Sequence, residues 1–425
     1  MRKRSMLNLV AITAAAVLGL AACAGPVESG GPITLTMSSW ASGIEKRVAV
    51  WNAAHPDVQV ELTKPGGNEN VYAKLVAATH ADEAPDIAQI EYSVMPSMVT
   101  GQVARDVSAY FAPYAEKFGE GARRLVTFDG VVYGVPQDLG PMLMLYRHDK
   151  FAEYGLEVPT TWAEFAAVAE QLHEKAPDVE LANLSSNDAN IFSGLVQQAG
   201  GNWWEVDGEA WTVSVDSPQT RQVADFWQDL ADRELIGTLP SATPEYNEAV
   251  ASGRILALVT GVWGPGPTAG IAPDTAGNWA AARTPAWTPG DHTVGFIGGS
   301  SNIVTTSSDH PAEAAEFVLW LNASDEGAAG LTEINKFPAA THGQQVPRTP
   351  PTLMPDDESY WPLAAEIAQE TFDVRWGPNT QVAFTAFGDE LGEAIGNGSS
   401  WSDALGGVQR VVADNLTRIG YTVAG

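Results

Sequence analysis

Short runs of alternating apolar and polar residues are separated by amphipathic stretches over the first part of the chain. Residues 33–37 alternate in this way and predict a strand, and residues 58–62 predict a second one. Between them, apolar residues recur at helical spacing up to the His55-Pro56 pair, which predicts a helix that ends there. Because strands and helices alternate, the pattern indicates an α/β fold with a parallel-type sheet.

The ends of the predicted strands carry candidate ligand contacts. A third strand is predicted at residues 86–90. In open α/β sheets, ligands bind beyond the carboxyl ends of the strands. Trp40, which follows the first strand, and Glu91 and Tyr92, which follow the third, are therefore candidates by their place in the topology.

The remaining chain repeats this βα character in separate blocks. A strand is predicted at residues 142–146, and another at 294–305 is followed by a helix at 312–321. The segment from Pro355 onward is predicted to be mainly helical. A chain of 425 residues exceeds one typical core, so we expect two lobes, with the chain passing between them more than once.

The N-terminus has the pattern of an export signal. A basic start precedes an uncharged apolar run that is too short to span a bilayer, and small residues follow it. The end of the run, Leu20-Ala21-Ala22-Cys23, resembles the bacterial lipobox, in which the cysteine is lipidated and the chain is cut just before it. We therefore predict a signal peptide at 1–22, a lipid on Cys23, a flexible tether at 23–32 and an extracytoplasmic, membrane-anchored protein. A plain secretory signal is the alternative.

Composition narrows the classes of partner. The formal net charge is −29, which disfavours binding to nucleic acid because the phosphate backbone would be repelled. Cys23 is the single cysteine, so no intrachain disulfide forms. Fourteen tryptophans are more than a core requires, which leaves some for a binding cleft.

Several short motifs occur in the order seen in one known family. The chain is similar to the extracellular solute-binding proteins of ABC importers, in the maltose/oligosaccharide-binding branch. The segments that carry this resemblance are Ala84-Pro85-Asp86-Ile87, Tyr133-Gly134-Val135-Pro136, Pro159-Thr160-Thr161-Trp162-Ala163-Glu164, Gly200-Gly201, Val262-Trp263-Gly264-Pro265 and Gly298-Gly299-Ser300-Ser301-Asn302.

The resemblance implies a bilobal periplasmic-binding-protein-like fold, with two α/β lobes joined by three crossing segments. By this resemblance the crossings fall near 137–140, 293–296 and 337–340, so lobe 1 comprises 33–137 and 296–338. Lobe 2 then comprises 140–293 and 340–425. The implied function is to capture a carbohydrate, a di- or oligosaccharide, between the lobes and deliver it to the transmembrane subunits of a permease. No catalysis, cofactor or metal is expected, and we expect a monomer.

Sugar recognition needs flat apolar faces for C–H groups and planar polar groups for hydroxyls. Trp263 matches the family's ligand-stacking tryptophan, and Trp376 with Arg375 resembles its late aromatic contact. One of Trp203 and Trp204 is expected to face the cleft, and Trp204 is taken as the candidate. The predicted ligand contacts are Trp40, Glu91, Tyr92, Gln137, Asp138, Asn187, Asp188, Trp204, Trp263, Gly298, Gly299, Ser300, Arg375 and Trp376.

Some of these residues have a purely structural alternative. Asn187 and Asp188 lie in a Ser/Asn/Asp loop, where simple turn chemistry is equally compatible with the pattern. A secreted glycoside hydrolase is the main alternative function, because 52 acidic residues leave room for a catalytic carboxylate pair. The same fold could also bind a polyamine or a glycerol phosphodiester.

Overall fold

The computed structural model describes residues 31–65, 71–208 and 210–424. The predicted signal peptide and Cys23 lie outside these residues. The strands are β1 Ile33–Ser38, β2 Val58–Thr63, β3 Ile87–Glu91, β4 Thr127–Phe128, β5 Val131–Val132, β6 Val135–Arg147, β7 Trp204–Asp207, β8 Ala210–Val213, β9 Ala257–Gly261, β10 Trp279–Ala282, β11 Phe296–Val304 and β12 Thr422–Val423.

Helices cover most of the remaining chain. They are α1 Ile44–Ala54, α2 Val71–His80, α3 Met95–Thr100, α4 Ser108–Phe111, α5 Glu120–Arg124, α6 His148–Tyr154, α7 Trp162–Lys175, α8 Ala189–Gln198, α9 Pro218–Asp232, α10 Pro244–Ser252, α11 Pro265–Ile271, α12 Pro311–Ala323, α13 Asp325–Glu333, α14 Thr341–Gln344, α15 Tyr360–Ile367, α16 Thr380–Asn397 and α17 Trp401–Arg418. In the part of the chain that the structure describes, none of them is long and apolar enough to cross a membrane.

The first βαβ units form as the periodicity predicts. β1 pairs in parallel with β2 and with β3, and α1 ends beside His55 as expected. α7 begins with a capping box, in which the Thr161 hydroxyl accepts a hydrogen bond from the Glu164 N–H and the Glu164 carboxylate accepts one in return from the Thr161 N–H. The segment after Pro355 contains α15, α16 and α17, so its predicted helical character is confirmed.

One continuous sheet connects the two halves of the molecule. Its order is β10-β6-β11-β3-β1-β2, with β9 also paired to β6. The first part of β6 pairs with β11, whereas Met142–Tyr146 pairs with β9. β6 is thirteen residues long because it serves both parts of the sheet, and the predicted strand at 142–146 is only its second half.

Two hydrophobic clusters fill the interior. The smaller one is built on β1, α1 and α12 and contains Leu35, Trp51 and Phe317. The larger one contains the tryptophan-rich second half and continues across the junction through Phe296 and Tyr92. The apolar interior is therefore not interrupted where the chain passes from one half to the other.

Three segments lie side by side at this junction. The Leu139 N–H donates to the Phe337 carbonyl, the Ala339 N–H donates to the Gln137 carbonyl, and β11 pairs with β6 from Phe296 onward. These contacts bring together the three stretches predicted as crossings.

The third passage begins later than predicted. Ala339 and Ala340 pack in the smaller cluster, and α14 packs on α13 of the same half. Leu353 is the next residue of the chain buried in the larger cluster. The expected start of lobe 2 at residue 340 is therefore too early, because these alanines are covered by side chains of the first half.

Candidate ligand-binding site

A cavity of about 600 Å³ lies between the two halves, at the strands that connect them. Its volume is within the range of small-molecule sites. The first half contributes the segment after β1, the end of β3 and the segment after α13. The second half contributes α8, the turn after β9 and the chain around α15. The lining residues are Trp40, Ala41, Ser42, Glu91, Asp138, Asn190, Val262, Trp263, Pro265, Gly266, Pro267, Ile297, Gly298, Gly299, Ser300, Ile334, Asn335, Lys336, Pro351, Thr352 and Trp361.

The two most exposed tryptophans both line this cavity. All fourteen tryptophans lie in the described residues. Trp40 and Trp263 are exposed, each with 37% of its surface accessible, and the other twelve are buried or half-buried. An indole left open to water has lost the burial that usually stabilises it, so its placement points to a ligand.

Two glycines make room for Trp263. Its indole Nε1 lies 3.4 Å from the Ile297 carbonyl oxygen. A Cβ on Gly261 would lie 2.4 Å from that nitrogen, and one on Gly298 would lie 3.1 Å from it. The indole therefore packs on bare backbone along one side and keeps its other surface free for the cavity.

Trp40 and Glu91 are connected through Tyr72. The Trp40 ring packs edge-on against the Tyr72 ring with centroids 6.3 Å apart. The Tyr72 hydroxyl accepts a hydrogen bond from the Glu91 N–H at 3.3 Å. The end of β3 is thereby tied to the loop after β1, so an aromatic face and a carboxylate stand on the same wall.

The Glu91 carboxyl is in an unfavourable place for a charge. Burial raises its pKa, a hydrogen bond from Tyr72 opposes that rise, and the nearby carboxylates of Asp188 and Asp138 add to it. Burial also raises the pKa of Tyr72 well above its usual range, with Glu91 contributing. A carboxyl held in this way is typical of functional sites, where binding takes precedence over stability.

Asp138 is part of a buried polar network behind the cavity wall. Its Oδ2 lies 3.0 Å from the Lys336 Nζ, and its other oxygen accepts a hydrogen bond from the Ser300 hydroxyl. The Ser300 hydroxyl accepts from the Gln89 side-chain amide at 2.8 Å. The network fixes Asp138, Ser300 and Lys336 relative to each other, so their free lone pairs and protons have defined directions.

Gly298 and Gly299 occupy backbone conformations that other residues rarely adopt. Their φ angles are +127° and +83°. At Gly299, a Cβ would lie 2.5 Å from the Asp138 carbonyl oxygen, so no side chain fits there. The double glycine thus allows β11 to approach β6 closely and leaves backbone exposed to the cavity.

Tyr92 and Gln137 lie behind the cavity instead of lining it, which corrects their prediction as ligand contacts. Tyr92 is buried and packs against Gly299 and Phe296. Gln137 is fully buried, and its side-chain oxygen lies 3.2 Å from the Ser300 hydroxyl oxygen. Both residues support the wall because their side chains point into the junction between the halves.

Asn187 and Asp188 carry out turn and cap functions. The Asn187 side-chain oxygen accepts from the Ser241 N–H at 2.8 Å, which joins two loops. Asp188 is the N-cap of α8 and accepts from the Ile191 N–H at 3.1 Å. Of the two interpretations that the sequence leaves open here, the structure favours local backbone chemistry. Asn190, two residues further on, lines the cavity instead.

Trp204, Trp376 and Arg375 also lie away from the cavity lining. Trp204 is fully buried, its Nε1 donates to the Asn379 side chain at 3.3 Å, and its ring packs near those of Trp203 and Trp376. Trp203 is buried too, so neither member of that pair faces the cleft. Arg375 is exposed to solvent but does not line the cavity.

Six polar or aromatic lining residues were not predicted, namely Ser42, Asn190, Asn335, Lys336, Thr352 and Trp361. Lys336 precedes the third crossing, and a lysine is uncommon enough in this acidic chain to have been a signal. Asn190 lies in the first turn of α8, directly after the loop that supplied Asn187 and Asp188 as candidates. Trp361 is the second residue of α15 and has apolar neighbours, so its sequence pattern resembles that of a core residue.

No group of three or more His, Cys, Asp or Glu side chains is arranged to hold a metal ion in residues 31–65, 71–208 and 210–424. The lining is instead aromatic, amide, hydroxyl, carboxylate and ammonium in character. This combination forms hydrogen bonds with neutral polar molecules and stacks against their apolar faces.

Comparison with known proteins agrees with this arrangement. The model of the bacterial extracellular solute-binding proteins matches residues 31–328. The chain belongs to this family. Family members are binding proteins, and the bilobal α/β architecture expected from the sequence is confirmed by solved structures of the same type.

Three relatives have informative names. An arabinooligosaccharide-binding protein of Halalkalibacterium halodurans is 25% identical over 346 residues, which cover 78% of this chain and 75% of the relative. A lactose-binding protein of Rhizobium radiobacter is 28% identical over 332 residues, covering 74% and 75%. An uncharacterized lipoprotein of Streptomyces antibioticus is 30% identical over 184 residues, covering 40% of each chain.

Solved structures match nearly the whole chain. The galacto-N-biose/lacto-N-biose I-binding protein of an ABC transporter from Bifidobacterium longum, in complex with lacto-N-biose, has a TM-score of 0.84 at 27% identity. It covers 93% of this chain and 100% of its own. A binding protein from B. animalis subsp. lactis in complex with β-1,6-galactobiose has a TM-score of 0.81 at 24% identity, covers 93% and 100%, and supports the fold.

Proposed function

We propose that this protein captures a di- or oligosaccharide in the cavity between its lobes and delivers it unaltered to the permease of an ABC importer. The observation that carries the proposal is that Trp40 and Trp263, the two exposed tryptophans, stand around one cavity that also presents polar groups. The relatives named for arabinooligosaccharides, lactose and lacto-N-biose support a carbohydrate ligand.

The chemistry of the lining suits a sugar. The C–H faces of a pyranose or furanose ring pack on an indole, and its hydroxyls both donate and accept hydrogen bonds. Glu91 and Asp138 supply acceptors, Lys336 supplies a donor, and Asn190 supplies both. A phosphodiester would meet these carboxylates unfavourably, which makes an anionic solute the weaker candidate.

We further propose that the lobes move as units about the crossings near 137–140 and 293–296, with the third passage at 345–352. Lobe 1 then comprises 33–137 and 296–344, and lobe 2 comprises 140–293 and 353–425. Hinge closure of this kind would enclose the ligand between Trp40 of one lobe and Trp263 of the other. Enclosure removes water from the hydrogen bonds and strengthens them.

The site of action is proposed to be outside the cytoplasmic membrane, with a lipid on Cys23 as the anchor and the protein as a monomer. The family of extracellular solute-binding proteins and the lipoprotein relative support this location. A segment without apolar periodicity follows Cys23, which would let the body reach a permease while it stays attached.

Calorimetric titration of the protein with arabinooligosaccharides, lactose, lacto-N-biose and galactobiose tests the proposal. We expect saturable binding of at least one sugar, and chromatography of the recovered sugar should show it intact. Trp263→Ala should weaken that binding about thirtyfold. Trp211→Ala, a substitution of a half-buried tryptophan outside the lining, should keep it. Release of monosaccharides would instead support the glycoside hydrolase, and binding of spermidine alone would support the polyamine alternative.

A further inference from the structure

Arg348 lies just behind the cavity, at the point where the chain passes from the first lobe to the second. Its Nη1 donates to the Lys336 carbonyl at 3.0 Å, and its Nη2 lies 3.4 Å from the Gln344 carbonyl oxygen. Both carbonyls belong to the first-lobe side. Arg348 itself does not line the cavity, although Lys336 does.

The same guanidinium covers an aromatic residue of the opposite wall. Its Cζ lies 3.9 Å from the centroid of the Trp361 ring and 5.4 Å from that of Phe337. A guanidinium at this distance is attracted to the face of an indole, and the attraction strengthens when both groups are shielded from water. Burial lowers the pKa of Arg348 to about 10, so the group is partly shielded yet still charged at neutral pH.

Trp361 is also held at its edge. Its Nε1 donates to the Thr349 carbonyl at 2.9 Å. Pro351 and Thr352, which come later in the same loop, line the cavity with Trp361. The loop from Arg348 to Thr352 therefore surrounds one side of Trp361. The Nε of Arg348 is buried there and has no hydrogen-bond partner among the described residues.

We propose that Arg348 is a positioning residue of the ligand site, which holds Trp361 of the second lobe against the Lys336 segment of the first. Trp361 then serves as a third aromatic contact for the ligand, in addition to Trp40 and Trp263. The inference rests on the proposed function for its ligand. An indole held in one orientation needs no ordering when a ligand arrives, so the arrangement raises affinity without contact between Arg348 and the ligand.

The test compares Arg348→Met with Arg105→Met. Arg105 is a matched control because its guanidinium also donates to backbone carbonyls, at 2.7 Å to Thr306 and 3.0 Å to Ser308, but lies outside the cavity lining. The first readout needs no sugar: acrylamide quenching of tryptophan emission, with Trp361→Phe variants used to isolate the contribution of Trp361. We expect this contribution to become more quenchable in Arg348→Met and to stay unchanged in Arg105→Met.

The second readout is the dissociation constant for the sugar that the parent binds. The entropy cost of immobilising one side chain raises the dissociation constant by up to about tenfold. We therefore expect Arg348→Met to bind the sugar about tenfold more weakly. Arg105→Met should bind like the parent even if its midpoint of thermal unfolding falls. In a Trp361→Phe background, the Arg348 substitution should have a smaller effect, because the residue it positions is altered. Arg348→Lys should restore only part of the affinity, since an ammonium lacks the planar face.

Unchanged quenching in Arg348→Met would overturn the proposal, as would increased quenching with unchanged affinity. Equal losses of affinity in Arg348→Met and Arg105→Met would also overturn it, because they would indicate a general structural effect. If the parent binds no sugar in the panel, the proposed function fails, and the claim that Trp361 serves the ligand fails with it. The sugar-free quenching then separately decides whether Arg348 holds the ring.

Discussion

Trp204 of the second-lobe core and Trp263 of the cleft both pack against glycines, but they differ in how far other side chains cover them. In the second-lobe core, a Cβ on Gly377 would lie 2.3 Å from the Trp204 ring, much as Gly261 lies against Trp263 at the cleft. Trp204 is then enclosed by other aromatic rings and is fully buried, whereas Trp263 remains 37% exposed. A glycine therefore lies against the indole in both places. The two indoles differ in whether the rest of the ring is covered by other side chains or open to the cavity.

Truncation of the core residue should have the largest effect. We expect Trp204→Ala to lower the free energy of unfolding by about 3–5 kcal/mol, because it removes a fully buried ring and leaves a cavity. Urea unfolding followed by circular dichroism measures this. Affinity of the folded fraction should remain close to that of the parent. If Trp204→Ala kept its stability and lost sugar binding, the distinction between core and cleft tryptophans would be wrong.

Truncation of the cleft residue should give the converse result. We expect Trp263→Ala to weaken sugar binding by about 2 kcal/mol, a factor of about thirty, since it removes a stacking face. The free energy of unfolding should fall by less than in Trp204→Ala, because more than a third of the Trp263 surface is already exposed. Calorimetric titration and urea unfolding of the same preparation provide both values. A stability loss equal to that of Trp204→Ala would contradict this prediction.

The glycine beneath Trp263 should have an intermediate effect. A Cβ on Gly298 would lie 3.1 Å from the indole nitrogen, so Gly298→Ala should displace the ring and weaken binding about fivefold. Gly290→Ala is the control, because Gly290 has a φ of +84° but no atom within 4 Å of its added Cβ. Both variants should lose stability through backbone strain. Equal affinities in the two variants would argue against displacement of the ring.

The effect expected at Glu91 is of similar size and depends on pH. Its pKa is raised in the folded protein, so folding is favoured by protonation: this stability is fully present below the ordinary value of 4.5 and is lost as the pH rises through the folded value. Glu91→Gln avoids the buried charge near Asp138 and Asp188. We expect it to be more stable than the parent by about 1 kcal/mol at pH 7 and equally stable below pH 4.5.

The same Glu91→Gln variant should bind sugar more weakly, because an acceptor carboxylate becomes an amide. Chemical unfolding at several pH values, together with titration at pH 7, checks both effects. Glu61→Gln, which changes an exposed glutamate, is expected to alter neither quantity. A Glu91→Gln variant less stable than the parent at pH 7 would show that the carboxylate stabilises this wall.

The secondary structure was predicted correctly where it depends on residues that are close together in the sequence. β1, α1 and β2 form where local periodicity predicts them, because the side-chain pattern of a few neighbouring residues decides which face is buried. Trp40 and Glu91 line the cavity because strand ends meet at one edge of a parallel sheet, and their role as ligand contacts stays a prediction. The resemblance to a family predicted Trp263 and the double glycine as ligand contacts, and all three residues line the cavity.

The failed predictions depended on distant residues. Trp204 and Trp376 stand near glycines, as Trp263 does, but helix α16 and its Phe384 cover Trp376. Asp188 caps α8, and only the position of that helix brings Asn190 to the cavity instead. Ala340 lies in the smaller cluster because a neighbouring β-bridge joins it to Phe118, more than two hundred residues away.

The sequence by itself therefore determined the order of strands and helices, the caps, the acidic surface and the aromatic content. These properties arise from the residue types themselves or from contacts within a few residues. The tertiary structure decided which tryptophans are open, which carboxyl is buried with a raised pKa, and that Lys336, Arg348 and Trp361 meet beside the cavity. Exposure and charge environment are properties of the surrounding space, and that space is filled by segments that lie far apart along the chain.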